Sequence, residues 1–238
     1  MLQLLTTLKI QVMRKNLFCL LFAALALCSC KNSDEDIYNE TRQTPYLISA
    51  YAFINAMSVR QYEALDGGSD INVIEFKESI IRASRNSEKE QHSYFSNLYG
   101  DTSYTGYTFR FNCPALAYPF DKITMSCNSD FDDEHLAGEP LDDIVKLKFG
   151  SFWEFIQNGY EYPEGCEKPD LVDSASTGET LHTYLFSEIE RENSKLISLR
   201  KPLIHFTSSP TTPGEYTFTL ELTTNGETFT TTFTQKFE

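Results

Sequence analysis

The fold is decided near the C-terminus, where the chain reads Tyr216-Thr217-Phe218-Thr219-Leu220-Glu221-Leu222-Thr223-Thr224-Asn225-Gly226-Glu227-Thr228-Phe229-Thr230-Thr231-Thr232-Phe233-Thr234-Gln235-Lys236-Phe237. Tyr216, Phe218, Leu220 and Leu222 alternate with Thr217, Thr219, Glu221 and Thr223, the period of a half-buried strand. Asn225-Gly226 follows, a dipeptide that accepts the positive φ required at both centres of a type I′ turn. The second run carries Phe229, Phe233 and Phe237 on one face. A two-residue loop pairs Thr224 with Glu227, so Leu222 faces Phe229 and Phe218 faces Phe233. Turn and pattern therefore agree on one register. The opposite face is mostly Thr, a β-branched residue suited to an exposed sheet surface.

Working outward, other stretches share the period of two. Tyr107, Phe109 and Phe111 alternate with polar residues, as do Ile123, Met125 and Cys127, and Pro202–Thr207 reads as a short strand. Tyr46–Met57 and Ile71–Ile81 are rich in Ile, Val, Phe and Tyr and flank the turn signal Asp66-Gly67-Gly68, so both are read as strands. Three helices are expected. Pro140–Leu147 has an early Pro, acids in its first turn and apolar residues at helical spacing. Ser151–Asn158 is closed by Gly159, and Thr180–Asn193 places Leu181, Tyr184, Leu185 and Ile189 on one face. The expected fold is mainly β: a single immunoglobulin-like antiparallel β-sandwich over residues 46–238, with short helical insertions. Glu161–Gly178, rich in Pro, Gly, Ser and charge, reads as a surface loop.

The N-terminus has a different logic. The apolar run Leu17–Leu27 is too short to cross roughly 30 Å of hydrocarbon, which takes ~20 helical residues, but it fits a signal-peptide core. Arg14 and Lys15 precede it and Met13 precedes them, so translation is expected to start at Met13, with residues 1–29 removed as a signal peptide. The run ends Leu27-Cys28-Ser29-Cys30, which resembles a bacterial lipobox. That resemblance implies cleavage before Cys30 and diacylation of its sulfur, with residues 30–45 as a flexible tether. Lys31-Asn32-Ser33-Asp34-Glu35-Asp36 resembles the surface-export signal of Bacteroidota lipoproteins, which implies an outer-membrane protein facing the cell exterior.

Composition narrows the classes. The 238 residues hold 34 Asp and Glu against 20 Lys and Arg, a net charge of −14, with 41% hydrophobic and 13% aromatic residues. Cleavage would remove Lys9, Arg14 and Lys15 and no acid. Nucleic acid is excluded as a partner, because phosphate binding takes clustered Lys and Arg. With Cys30 acylated, the mature chain holds Cys113, Cys127 and Cys166, and Cys113–Cys127 is the disulfide candidate. No C-x-x-C, G-x-S-x-G, H-E-x-x-H, P-loop or G-x-G-x-x-G occurs, and no enzyme is expected.

One internal stretch carries a family resemblance. Asp121-Lys122-Ile123-Thr124-Met125-Ser126-Cys127-Asn128-Ser129-Asp130-Phe131-Asp132-Asp133-Glu134-His135-Leu136-Ala137-Gly138, followed by Leu141-Asp142-Asp143-Ile144, is similar to a pattern of uncharacterised Bacteroidota surface lipoproteins. In these a strand ends in Ser-Asp-x-Asp-Phe-Asp, then His, Ala-Gly and a short Leu-Asn/Asp-Asp helix. Cys127-Asn128-Ser129 departs from the plainer polar strand end of the pattern. The resemblance extends over Tyr46–Phe237 and implies an exported β-rich domain without assigning an activity.

Three stretches carry candidate chemistry. Asn128, Asp130, Asp132, Glu134 and Glu139 space oxygen ligands like a calcium loop, but Asp133 stands where that loop needs Gly. Tyr94, Phe95, Tyr99, Tyr104, Tyr107 and Tyr118 crowd one region with Asn97, Asp101 and Asn112, a composition that stacks on sugars or anchors a protein partner. Asp173-Ser174-Ala175 resembles a short O-glycosylation signal, making Ser174 a modification candidate. Three readings of function result: a lipid-anchored module binding a glycan or a surface protein, a structural or adhesive component without a small ligand, and a glycoside hydrolase built on scattered acid pairs.

Overall fold

The computed structural model describes residues 45–62, 71–105, 113–167 and 178–238. The signal segment, Cys30 and the tether up to residue 44, the strand candidate at Tyr107–Phe111, and Ser174 lie outside them. The chain is mainly β, and two sheets pack as a sandwich. β1 (Ala50–Tyr62), β2 (Ile71–Arg82), β3 (Pro114–Leu116), β5 (Val145–Ser151), β6 (Thr180–Leu185) and β7 (Leu203–Phe206) form a six-stranded sheet in the order β3-β1-β2-β7-β5-β6. β4 (Phe120–Cys127), β8 (Gly214–Thr224) and β9 (Glu227–Phe237) form the opposing sheet in the order β4-β8-β9. Every pair is antiparallel except β1–β3, which run parallel.

The β8–β9 hairpin has the register read from sequence: Thr224 faces Glu227, Leu222 faces Phe229 and Phe218 faces Phe233. Asn225 and Gly226 have φ of 51° and 77°, as a type I′ turn requires. Phe218, Leu220 and Leu222 are wholly buried and meet Phe120, Ile123, Met125, Leu147 and Ile74 between the sheets.

A second core lies on the other side of the large sheet. Alternation in β1 sends Ala52 and Ile54 toward the sandwich interior and Tyr51 and Phe53 toward α1 (Lys89–Tyr99). There Tyr51, Phe95, Tyr99, Phe152 and Leu196 pack together with residues of α2 (Trp153–Gln157). α1 is not among the helices expected from the sequence. Its buried stripe is His92, Phe95, Ser96 and Tyr99, spaced as a helix needs, but two of the four are polar. Gly100 closes it in the left-handed region at φ 73°.

Two expected helices are strands instead. Pro140–Ile144 turns, and the chain then enters β5, where Val145, Leu147 and Phe149 alternate with Lys146 and Lys148. Proline and acids mimicked a helix start, while the period of two beyond them decided the outcome. Thr180–Asn193 splits into β6, paired to β5 from Thr180 to Leu185, and two 3₁₀ turns at Phe186–Glu188 and Arg191–Ser194. Burial of Phe186 and Ile189 fixes those turns.

The expected Cys113–Cys127 bridge is likewise corrected. The two thiols do not bridge, because Cys113 is buried in the second core and Cys127 between the sheets. Burial pushes the Cys113 thiol up to about 12, which keeps it protonated and unreactive. Among the described residues no helix is long and apolar enough to cross a membrane.

Candidate functional site

A cleft of about 200 Å³ opens where the two sheets meet, between β1, the turn after β3 and the tip of the β8–β9 hairpin. Phe53, Tyr118 and Phe229 supply aromatic wall, and Asn55, Asn225 and Glu227 supply polar atoms. Each side chain is placed by an identifiable device. β1 shifts register between Ile54, opposite Glu78, and Ala56, opposite Lys77, so Asn55 is the extra residue of a bulge. Bulges turn a side chain away from the strand's regular alternation, and this one belongs to the cleft wall.

The opposite wall is pinned twice. The Thr224 hydroxyl donates to the Pro119 carbonyl at 2.8 Å, and the Gly226 N–H donates to Asp121 Oδ2 at 3.3 Å. Asp121 is the extra residue of a second bulge, in β4, where Phe120 faces Thr224 but Lys122 faces Thr223. The hairpin tip is thus held against the segment that carries Tyr118.

The aromatic wall rests on α1. Phe53 and Tyr118 meet edge to face at 5.8 Å, and both meet the buried Phe95, at 5.6 and 5.5 Å. Tyr94 stands against Phe95 at 5.2 Å and is 61% exposed, beside the exposed Leu98 one turn on. Of the aromatics singled out in sequence, Tyr118 reaches the cleft, Tyr94 is on the surface, and Phe95, Tyr99 and Tyr104 are core. Tyr107 and Asn112 lie outside the described residues. Asp101 is wholly buried, where its carboxylate accepts from the Leu47 and Ile48 N–H groups, both at 2.8 Å, and from Tyr160. Burial raises its pKa, and those donors oppose the rise. It ties the start of the domain to the end of α1 rather than facing a ligand.

The acidic segment uses its oxygens internally. Asn128 Oδ1 accepts from the Thr217 N–H, Asp130 Oδ1 from Ala137 and Glu139 Oε2 from Leu136. Asp132 Oδ1 accepts from the N–H groups of Glu134 and His135 and lies 2.7 Å from His135 Nδ1. His135 Nε2 is 3.0 Å from Asp143 Oδ1, so the ring is held between two carboxylates. Burial opposes its charged form, yet the bonds to Asp132 and Asp143 prevail and raise its pKa. Glu134 remains exposed. Among the described residues no group of three or more His, Cys, Asp or Glu side chains is gathered as metal ligands.

A second polar cluster sits on β6. His182 Nε2 lies 3.2 Å from Glu154 Oε2 and 3.1 Å from Thr180 Oγ1, its Nδ1 is 3.3 Å from the Tyr184 hydroxyl, and the two rings stack. Burial raises the Glu154 pKa and the His182 bond overcomes it, lowering the value. Glu154 is on α2, so the cluster fastens that helix to the edge of the large sheet.

Sequence reasoning found the hairpin tip but not its partners. Phe53 and Asn55 lie more than a hundred residues from Phe229 in the chain, and no local pattern joins them. Compared with protein families, with curated proteins and with solved structures, the chain matches none.

Proposed function

We propose that the chain is an exported, lipid-anchored surface protein that binds one unit of a neutral or amino-bearing glycan in the cleft between β1 and the β8–β9 tip. The observation that carries the reading is the pairing of Phe53, Tyr118 and Phe229 with Asn55, Asn225 and Glu227 around about 200 Å³. A sugar ring offers an apolar C–H face and a rim of hydroxyls. Aromatic rings bury the first, while amides and a carboxylate bond the second. The volume is below the roughly 300–1,000 Å³ of drug-sized sites, which fits one ring rather than an extended oligomer. Glu227 and a net charge of −14 disfavour uronic or sulfated sugars. Glu227 is the one carboxylate among the described residues lining the cleft. Glycoside hydrolysis uses two that flank the bond, so binding is favoured over cleavage.

The anchor rests on the Leu17–Leu27 run and the Leu27-Cys28-Ser29-Cys30 ending, and the family resemblance agrees with it. A glycan array, followed by calorimetry with each hit, tests the cleft. Phe229→Ala and Asn55→Ala should each weaken binding tenfold or more, and a hit indifferent to both would place the ligand elsewhere. Cys30→Ala should move the protein from the detergent phase to the aqueous one. Unchanged partitioning of that variant would remove the anchor.

A further inference from the structure

A sandwich of two open sheets has four edge strands, and edge strands offer unpaired N–H and C=O groups to any extended chain. Three of these edge strands are covered along their own lengths, although β3 shields β1 only from Ala50 to Ala52. β3 is three residues long and starts with Pro114, and its outer side bonds the 197–199 segment, Leu116 N–H to the Ile197 carbonyl at 2.8 Å and Leu199 N–H to Pro114 at 3.1 Å. β4 is bulged at Asp121. Its outer groups bond the following loop, which gives N–H groups of Leu141 and Gly138 to the carbonyls of Met125 and Cys127 and the Asp142 carboxylate to the Met125 N–H. β6 is short, and its outer side gives Leu181 N–H to Glu167 and Leu185 N–H to Glu188.

β9 makes no such backbone bonds on its outer side among the described residues, although β1 of the opposing sheet lies beside it. β9 is eleven residues long, unbroken in register, and free of Pro, Gly and bulges. A two-residue hairpin makes Thr224–Glu227 a hydrogen-bonded pair, and such pairs alternate along the ladder. Glu227, Phe229, Thr231, Phe233 and Gln235 therefore spend their backbone groups on β8. Thr228, Thr230, Thr232, Thr234 and Lys236 point theirs outward, and no backbone bond to any described residue meets them.

The sequence of this edge is its own complement. Thr228-Phe229-Thr230-Thr231-Thr232-Phe233-Thr234 reads the same in both directions about Thr231. We propose that β9 pairs antiparallel with β9 of a second copy, about a two-fold axis through Thr231. In that register Thr230 faces the partner's Thr232, so outward-facing groups meet outward-facing groups and exchange hydrogen bonds. Thr228 faces the partner's Thr234 and Phe229 the partner's Phe233, an isologous contact that closes after two copies. Charge selects the same place. The molecule as a whole repels its like at −14, but from Thr228 to Gln235 the strand is uncharged. At both ends of the pairing the Lys236 end of one strand lies along the Glu227 end of the other. An edge-only contact falls in the small, weak class of interfaces, so the dimer is concentration-dependent.

The test uses the full-length chain extracted in detergent. Its light-scattering mass should rise from one copy to two across a concentration series and stop there. Thr230→Lys with Thr232→Lys should move that midpoint at least tenfold upward at an unchanged melting temperature, because both side chains are exposed. In a Cys166→Ser background, Thr231→Cys should give a disulfide-linked dimer on oxidation, because a residue on the axis faces itself. Thr228→Cys and the Cys166→Ser parent should not. A monomeric mass at the highest concentration, a dimer indifferent to the lysines, a Thr231→Cys protein that fails to cross-link, or masses that grow without limit would each overturn the proposal.

Discussion

Phe218 and Phe233 lie nearly parallel across β8 and β9, with ring centroids 5.3 Å apart and planes at 27°. Phe218 is fully buried and Phe233 is 8% exposed, so the pair is core rather than surface. Phe233→Ala should cost about 3–5 kcal/mol, the transfer of a ring plus the cavity it leaves. Thr232→Ala, one residue away on the open face, should change stability by only ~0.5 kcal/mol. Denaturant midpoints of both variants check the contrast, and equal losses would mean that the register is off by one.

Gly226 holds φ at 77° with open space around the position a Cβ would occupy. The cost of a side chain there is thus conformational and not steric crowding. Gly226→Val should destabilise by about 1–2 kcal/mol. Gly226→Asn should recover most of that, because Asn tolerates the left-handed region. Thermal melts of the two variants decide it.

His135 between Asp132 and Asp143 makes stability depend on pH in a definite direction. Its folded pKa is raised, so the protonated ring's contribution is complete below the unfolded value and fades as pH rises through the folded one. Asp132 works in the opposite sense. Burial raises its pKa, but bonds from His135 and the loop N–H groups lower it overall, so its contribution fades as pH falls through that lowered value. The segment should therefore be most stable in mildly acidic solution. An NMR titration of the His135 ring should report an elevated midpoint that drops toward the ordinary value in Asp143→Asn. A midpoint unmoved by that substitution would break the argument.

Glu179 is wholly buried. Its carboxylate meets Arg200 Nε at 2.8 Å and the Ser198 hydroxyl, while its side chain lies over Gly150, where an added Cβ would fall 1.8 Å from Oε1. Arg200 is part-exposed and can rehydrate; Glu179 cannot. Arg200→Ala should cost about 1–3 kcal/mol by removing one donor from a buried carboxylate, whereas Glu179→Gln, which keeps the shape, should cost less. Gly150→Ala should be poorly tolerated for want of space. Urea midpoints of the three variants give the order, and Glu179→Gln faring worst would refute it.

How much of this was legible follows the range of the interactions. The hairpin was readable because Asn225-Gly226 and the flanking alternation are local and reinforce each other. Pro140 misled because a helix-start cue preceded the alternating Val145, Leu147 and Phe149, and pairing with β7 outweighed it. α1 escaped because His92 and Ser96 occupy its buried stripe, where His92 Nε2 meets the Ile48 carbonyl at 3.0 Å. The spacing of Asn128, Asp130 and Asp132 was real, but sequence shows acceptors without showing the N–H groups that occupy them. The cleft draws on three distant segments and on two bulges, and a single extra residue in a strand leaves no periodic trace.

The bulged Asn55 and its neighbour Phe53 lie on β1, the first strand of the domain, which continues the polypeptide arriving from Cys30. In the proposed lipid-anchored glycan binder, tension between ligand and anchor would reach β1 at Phe53 and Asn55 and the hairpin tip at Phe229. The load is carried along the axis of β1, whose antiparallel ladder with β2 reaches from Ala50 to Tyr62. It strains many cross-strand bonds at once instead of peeling them singly. The hairpin tip shares the load from the other wall, and the Thr224–Pro119 and Gly226–Asp121 bonds pass it into β4.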